Sequence, residues 1–122
     1  MNPRDIKKYP ITWTGNRSQP IFVGDFRDID LTIVGTGTAT VLGSADKALS
    51  NDAPDFTIAS TISNSYATMV IADLTTPSTY ATSLIVANAT KIGEVNTNLL
   101  MWVCITRSAN TLDAFITVCD NA

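Results

Sequence analysis

Carboxylates are the side chains of this sequence with the clearest capacity for chemistry. The chain has 11 Asp and Glu residues, and two groups of Asp are close in sequence. These groups are Asp25, Asp28 and Asp30, and Asp46, Asp52 and Asp55. Carboxylate oxygens bind Ca²⁺, but the first group lacks the ordered ligand spacing and the glycine of an EF-hand loop. We interpret the first group as charge that flanks the start of a strand. The second group either clamps a cation or keeps a long loop soluble.

Catalytic constellations are missing from the sequence. It contains no His, which removes the commonest general base and metal ligand and every Ser-His or Cys-His pair. Gly35-Thr36-Gly37 superficially resembles a phosphate-binding loop, but it has neither the lysine nor the following helix, so we predict a turn between two strands. No Ser lies in a nucleophile-elbow pattern, and no Cys spacing suits zinc. The sequence therefore predicts a protein that is not an enzyme and that binds no cofactor or metal.

Charge and hydropathy exclude two further classes of partner. The net charge of -3 argues against nucleic-acid binding, which depends on clustered Lys and Arg. No apolar run reaches the roughly 18 residues of a membrane span. Residues 1–10 carry Arg4, Lys7 and Lys8 without the apolar stretch of a signal peptide. We expect no nucleic acid, no membrane association, and synthesis in a cytoplasm.

The elements that must position these residues are strands. Thr, Val and Ile are abundant, and Gly, Asn, Asp and Pro interrupt them at short intervals. Residues 29–34 alternate between the two faces of a strand, and no apolar pattern keeps helical spacing over more than about two turns. A chain of 122 residues is long enough for one domain with its own core. We predict an all-β antiparallel β-sandwich or jelly roll over residues 11–122, preceded by a short extended N-terminal arm over residues 1–10.

The end of the sequence predicts a hairpin, with strands over residues 99–106 and 111–118 and a loop at 107–110. One face of this hairpin is apolar throughout and should line the core. It carries Leu99, Met101, Val103, Ile105, Leu112, Ala114, Ile116 and Val118. On the other face, Trp102 lies directly opposite Phe115 in this register, with Leu100 beside them. Outer faces of a sandwich are normally polar, so these three residues form an unusual surface, here called the aromatic patch.

Hairpin geometry also decides how the two cysteines behave. In the predicted register Cys104 faces Asp113, and Cys119 lies six residues further along the partner strand, about 20 Å away. A disulfide requires Cα atoms within about 7 Å. We therefore predict two free, buried thiols.

Three interpretations of the aromatic patch remain open. A loop or the N-terminal arm covers it, another subunit buries it, or its rings stack on a sugar. The last interpretation needs a platform of two or three exposed rings, to which Trp13, Tyr66 and Tyr80 could contribute.

Three segments of the chain resemble a known class of protein. They are residues 36–44 (Thr-Gly-Thr-Ala-Thr-Val-Leu-Gly-Ser), residues 90–96, and the predicted hairpin from Met101 to Ile116. This pattern is similar to that of small jelly-roll head decoration, or cement, proteins of tailed bacteriophages. The resemblance implies a structural virion protein that binds the outside of the capsid. Its partner would be the major capsid protein, whose subunit contacts it would stabilise, and it would be a homo-oligomer, with a trimer favoured.

The resemblance also implies where the interface should lie. We expect the aromatic patch of Leu100, Trp102 and Phe115 at a subunit contact, and Arg4, Lys7 and Lys8 of the arm at the capsid surface. Two alternatives stay open. The first is a carbohydrate-binding β-sandwich or receptor-binding tail module, and the second is a small tail or neck adaptor.

Overall fold

The computed structural model describes residues 5–45, 53–62, 64–76 and 79–120. These residues form eleven antiparallel strands and no helix, which confirms the predicted all-β antiparallel class, whereas jelly-roll connectivity stays a prediction. The described part of the chain therefore offers no helix that could cross a membrane. The strands are β1 (Asp5–Pro10), β2 (Trp13–Thr14), β3 (Arg17–Ser18), β4 (Ile21–Phe22), β5 (Asp28–Ser44), β6 (Ala67–Thr68), β7 (Ile71–Asp73), β8 (Thr79–Ala81), β9 (Leu84–Asn96), β10 (Trp102–Arg107) and β11 (Leu112–Asp120).

The long strand β5 organises the sheet. Strand β9 pairs along one edge of β5. On the other edge, β10 pairs with residues 39–44 and β11 pairs with residues 30–35. Both strands are antiparallel to β5, so β10 and β11 follow one another along the same edge. They are two parts of one interrupted strand.

The predicted C-terminal hairpin is therefore wrong. The chain does not reverse at residues 107–110 but continues past residues 36–38 of β5, with four residues facing three. This is a β-bulge, and backbone hydrogen bonds hold it on both sides. The amide of Ser108 donates to the carbonyl of Thr38 over 2.9 Å, and that of Thr36 donates to the carbonyl of Thr111 over 3.2 Å.

The turn predicted at Gly35-Thr36-Gly37 is also wrong, because β5 runs through these residues without interruption. The register between β5 and β9 shifts between Gly35 and Gly37, where the two glycines have φ of +113° and +152°. Across from them, Asn88 in β9 has φ +48°. A Cβ on Gly35 would collide with the carbonyl oxygen of Thr111, so the close approach of the strands requires glycine there.

The bulges divide the sheet into two halves. The first half-sheet contains residues 28–35 of β5 with β11, β1, residues 89–96 of β9, β7 and β8. The second half-sheet contains residues 37–44 of β5 with β10, β2, β3, β4, β6 and residues 84–86 of β9. Inward side chains of both halves belong to one buried core, so each half covers the other. The core residues are Ile21, Val23, Ile29, Leu31, Ile33, Ala39, Val41, Ile71, Leu84, Val86, Val95, Val103, Ile105, Leu112, Ala114, Ile116 and Val118.

The apolar face predicted at the end of the chain is largely confirmed. Six of its eight residues, from Val103 to Val118, are buried in this core. Met101 is half-buried, and Leu99 is 83% exposed. Leu99 precedes β10, so the alternation of the strand does not extend to it.

The predicted arm overlaps the first strand. Residues 5–10 form β1, which pairs antiparallel with β11 and places Lys8 opposite Thr117 and Pro10 opposite Phe115. Arg4 lies outside the described residues. Lys7 and Lys8 are exposed on the edge of the first half-sheet.

Candidate functional site

The structure separates the members of the aromatic patch. Trp102 lies in the second half-sheet opposite Ser44, and Phe115 lies in the first half-sheet opposite Thr32. Trp102 is half-buried against Phe22 of β4, with ring centroids 5.3 Å apart and ring planes at 70°. Leu100 packs against the core. The opposition of Trp102 and Phe115 is thus corrected: the bulge, rather than a turn, lies between them.

Phe115 is half-buried and is covered by the N-terminal strand. The ammonium of Lys8 lies 4.1 Å from the centroid of its ring, within the range of a cation–π interaction. Each ring therefore has its own neighbouring side chain, and the three interpretations of the patch stay predictions. The assignment of Leu100, Trp102, Phe115, Lys7 and Lys8 to an interface stays a prediction.

Polar and charged side chains share the outer face of the first half-sheet. Cross-strand pairing sets Lys8, Thr117, Asp30 and Glu94 in one row across four strands. Asp28 lies in the next row, opposite Asn96. Arg27, Asp28, Glu94, Asn96 and Asn98 line a depression of about 500 Å³ at this end of the sheet.

The carboxylates of this face repel one another. Burial, followed by the charge of Asp28, raises the pKa of Asp30. Burial also raises the pKa of Glu94, with further contributions from Asp28 and Asp30. The enclosed Oδ1 of Asp30 has no hydrogen-bond partner within the described residues. A partner that brings a cation or a hydrogen-bond donor to this face would relieve that repulsion.

The structure does not assemble these carboxylates as metal ligands. Among the described residues, no group of three or more His, Cys, Asp or Glu side chains could hold a metal ion. Asp46 and Asp52 of the second acidic group lie outside the described residues.

A cavity of about 420 Å³ lies on the second half-sheet, between β3 and residues 54–57. Its lining residues come from two segments and from β10, and they are Thr14, Arg17, Ser18, Gln19, Pro20, Pro54, Asp55, Phe56, Thr57 and Cys104. Residues 54–57 are held by Asn64, whose side-chain amide donates to the carbonyl of Asp55 over 2.8 Å. Phe56 is buried and packs against Tyr66, with ring centroids 5.2 Å apart.

Cys104 has a free, buried thiol, as predicted. Burial raises its pKa, although hydrogen bonding with Ser18 and the nearby charge of Arg17 act in the opposite direction. The thiol is therefore protonated at neutral pH and a poor nucleophile. The side chain of Cys119 lies outside the described part of the structure.

The rings considered as a sugar platform are dispersed. Trp13 stacks under the guanidinium of Arg107, whose Cζ lies 4.1 Å from the ring centroid, and its indole N–H donates to Asp113 over 3.2 Å. Tyr66 packs on Phe56 and donates its hydroxyl to the carbonyl of Ile58. Tyr80 is exposed on the edge strand β8. Within the described residues, no ring contact joins two of these three.

Sequence reasoning missed Arg17, Phe22 and Arg107 as residues that shape the surfaces. Arg17 and Arg107 are separated by ninety positions, but the pairing of β3 with β10 brings Arg17 opposite Thr106. No local motif marks these residues. Their roles could have been predicted only from knowledge of the strand order.

The fold is shared with two solved prophage proteins. The SPBc2 prophage-derived protein YomS superposes with a TM-score of 0.67 at 11% identity, and the match covers 98% of this chain and 96% of that one. The PBSX exported protein XepA superposes with a TM-score of 0.64 at 10% identity, covering 98% of this chain but 39% of that chain. This chain thus corresponds to about two fifths of XepA. At these identities the likeness concerns the fold. The sequence matches no family model and no curated protein.

Proposed function

We propose that this chain is a structural protein of a bacteriophage particle that works by binding another protein surface. The observation that carries the proposal is the fold, which is shared over 98% of the chain with two prophage-derived proteins. The absence of His and the protonated state of the buried thiol support binding rather than catalysis.

The more specific proposal is a capsid decoration protein. It would bind the outside of a phage head, contact the major capsid protein and stabilise the contacts between capsid subunits, as a homo-oligomer and preferably a trimer. The resemblance of residues 36–44 and 90–96 to cement proteins supports this more specific role. The two half-sheets share one apolar core, and the thiol of Cys104 is free. Within the described residues, the fold is therefore held by packing and not by a disulfide.

The outer face of the first half-sheet is the surface we propose for this contact. It combines the half-buried ring of Phe115 with the cation of Lys8 and the carboxylates of Asp30 and Glu94. Both carboxylates are already partly desolvated and have raised pKa values. A partner that supplies hydrogen-bond donors therefore gains more binding free energy here than at fully hydrated carboxylates. Leu100 and Trp102 belong to the other half-sheet, so they would contact a different partner or another copy.

Electron microscopy with a gold-labelled antibody tests this function directly. The antibody is applied to purified particles of the phage or prophage that encodes the chain. Label on the heads is the expected result. Label on the tail or neck would contradict capsid decoration and support the adaptor or receptor-binding alternative. Particles without label, from a lysate in which the chain is detected, would contradict a structural role in the particle.

A further inference from the structure

We propose that the cavity between β3 and residues 54–57 binds a small, neutral, hydroxyl-rich ligand the size of a monosaccharide. Its volume of about 420 Å³ lies within the range of small-molecule sites, about 300–1,000 Å³. The site is on the second half-sheet, so the inference does not depend on the proposed docking surface of the first.

Two opposite charges line this cavity without neutralising each other by direct contact. Arg17 and Asp55 both line it, and the charge of Arg17 contributes to the lowered pKa of Asp55. The ion pair found in the described residues joins Lys91 and Asp73, and none joins Arg17 to Asp55. Both hydrogen bonds that the carboxylate of Asp55 receives from Thr57 end on Oδ1. A ligand in the cavity could therefore contact both charges.

The guanidinium of Arg17 differs sharply from that of Arg107. Arg107 donates Nη1 to the carbonyl of Leu112 over 2.9 Å, Nη2 to that of Gly15 over 3.1 Å, and Nε to the side chain of Asn16 over 3.3 Å. It is a structural clamp with matched donors. Arg17 has an enclosed Nη1 for which the described residues offer no acceptor, and its guanidinium also lies beside the thiol of Cys104. Buried charged donors are rarely left unpaired, so this guanidinium is suited to donate a hydrogen bond to a ligand oxygen.

The remaining polar groups narrow the ligand chemistry. The side chain of Gln19 is already bonded to the amide of Thr12 and the carbonyl of Pro10. Ser18 donates to the carbonyl of Gln19 and accepts from the amide of Ile105. Besides the hydroxyls of Thr14 and Thr57, the cavity therefore offers the donors of Arg17 and the acceptor oxygens of Asp55.

A hydroxyl-rich neutral ligand fits this pair because each hydroxyl can both donate and accept a hydrogen bond. The two charges sum to zero, so a phosphate or dicarboxylate would be attracted by Arg17 but repelled by Asp55. Pro20 and Pro54 add carbon surface to the lining, against which the C–H groups of a sugar ring can pack. The uncharged thiol of Cys104 adds no net charge.

Nuclear magnetic resonance titration of the full chain tests the inference. Amide and arginine Nε–H signals are followed while D-glucose, D-galactose, N-acetylglucosamine or acetate is added. We expect saturable shifts at Arg17 and Thr57 for at least one sugar, with millimolar affinity. Arg17→Gln and Asp55→Asn should each lower the affinity for that sugar at least about tenfold. Arg27→Gln and Asp25→Asn are matched control variants outside the cavity and should leave the affinity unchanged.

Three results would overturn the inference. The first is no saturable shift at Arg17 or Thr57 with any of the three sugars. The second is a response to acetate alone, which would assign the cavity to anions. The third is equal weakening by Arg17→Gln and Arg27→Gln in variants whose spectra show intact folds.

Discussion

The two half-sheets share strands β5 and β9 and one core, but their outer faces differ. The first face is open and carries charges, with Lys8 over Phe115 and the repelling carboxylates of Asp30 and Glu94. The second face carries the hydrogen-bonded hydroxyls of Thr40 and Thr106 with Arg17 in the same row, and residues 54–57 with Asp55 cover part of it. A single bent sheet thus presents an open surface, which we propose for a protein partner, and a half-open cavity, which we propose for a small ligand.

The bulge at Gly35 separates the two faces, and replacing this glycine should have the largest effect. Gly35→Ala adds a Cβ at φ +113° that collides with the carbonyl of Thr111. We expect a loss of about 3 kcal/mol in the free energy of unfolding, measured by urea denaturation. Gly15→Ala is the control, because Gly15 also has positive φ but open space, and should cost about 1 kcal/mol. Equal losses for the two variants would contradict the close approach at the bulge.

The two arginines of the second half-sheet provide the next test. Arg107→Gln removes hydrogen bonds to two backbone carbonyls and the stacking on Trp13, so it should cost about 2 kcal/mol of stability. Arg17→Gln should change stability by no more than about 0.5 kcal/mol, because its Nη1 has no acceptor within the described residues. Urea denaturation of both variants measures the difference. A larger loss from Arg17→Gln would show that Arg17 is the structural clamp.

Acidic pH should affect the first half-sheet in a characteristic direction. The folded-state pKa of Asp30 is raised, so its contribution favours folding below its unfolded pKa and is lost as the pH rises through the folded pKa. Asp30→Asn should therefore stabilise the protein at pH 7 by less than about 1 kcal/mol, because partial exposure screens the charge. This advantage should shrink as the pH falls through the raised folded-state pKa and should vanish below about pH 4, the unfolded pKa of Asp.

Thermal or urea denaturation at several pH values measures this change. Only the difference between Asp30→Asn and the unchanged protein is informative, because hydrogen bonds from Thr57 and Thr75 lower the pKa of Asp55 and Asp73 and act in the opposite direction. A difference that grows on acidification would contradict the repulsion inferred for Asp30.

The cover of Phe115 should give the smallest effect. Lys8→Gln removes the cation above the ring and should cost about 0.5 kcal/mol. The fluorescence of the protein is not informative for Phe, so the ring protons of Phe115 are followed by nuclear magnetic resonance. We expect them to shift in Lys8→Gln and to stay unchanged in Lys91→Gln. Unchanged ring signals in both variants would show that Lys8 does not lie over the ring.

The sequence predicted the class of fold and the faces of the strands, but not their pairing. Alternation alone places Val103, Ile105 and Ile116 in the core, and this is confirmed. However, the buried positions have odd numbers before residue 107 and even numbers after residue 111. A four-residue hairpin loop would produce this change, and a one-residue bulge produces it equally well. The apolar pattern therefore fits either arrangement, and Gly35 and Gly37 suit a turn as well as a bulge.

The candidate sites depended on that pairing. The aromatic patch assumed that Trp102 and Phe115 face one another, so the bulge separated its two rings. The cavity could not be predicted because Arg17 and Asp55 line one cavity only through the packing of residues 54–57 beside β3. Thr57, in contrast, could have been connected with Asp55 from sequence, since an Asp often accepts hydrogen bonds from a residue two positions later.

Co-sedimentation with purified phage heads tests the central claim most directly. The heads come from the phage that encodes the chain and lack the chain itself. We expect the protein to sediment with them, Lys8→Gln to sediment more weakly, and Lys91→Gln to sediment like the unchanged protein. The account would be contradicted if the folded protein stayed in the supernatant, or if Lys8→Gln and Lys91→Gln sedimented equally.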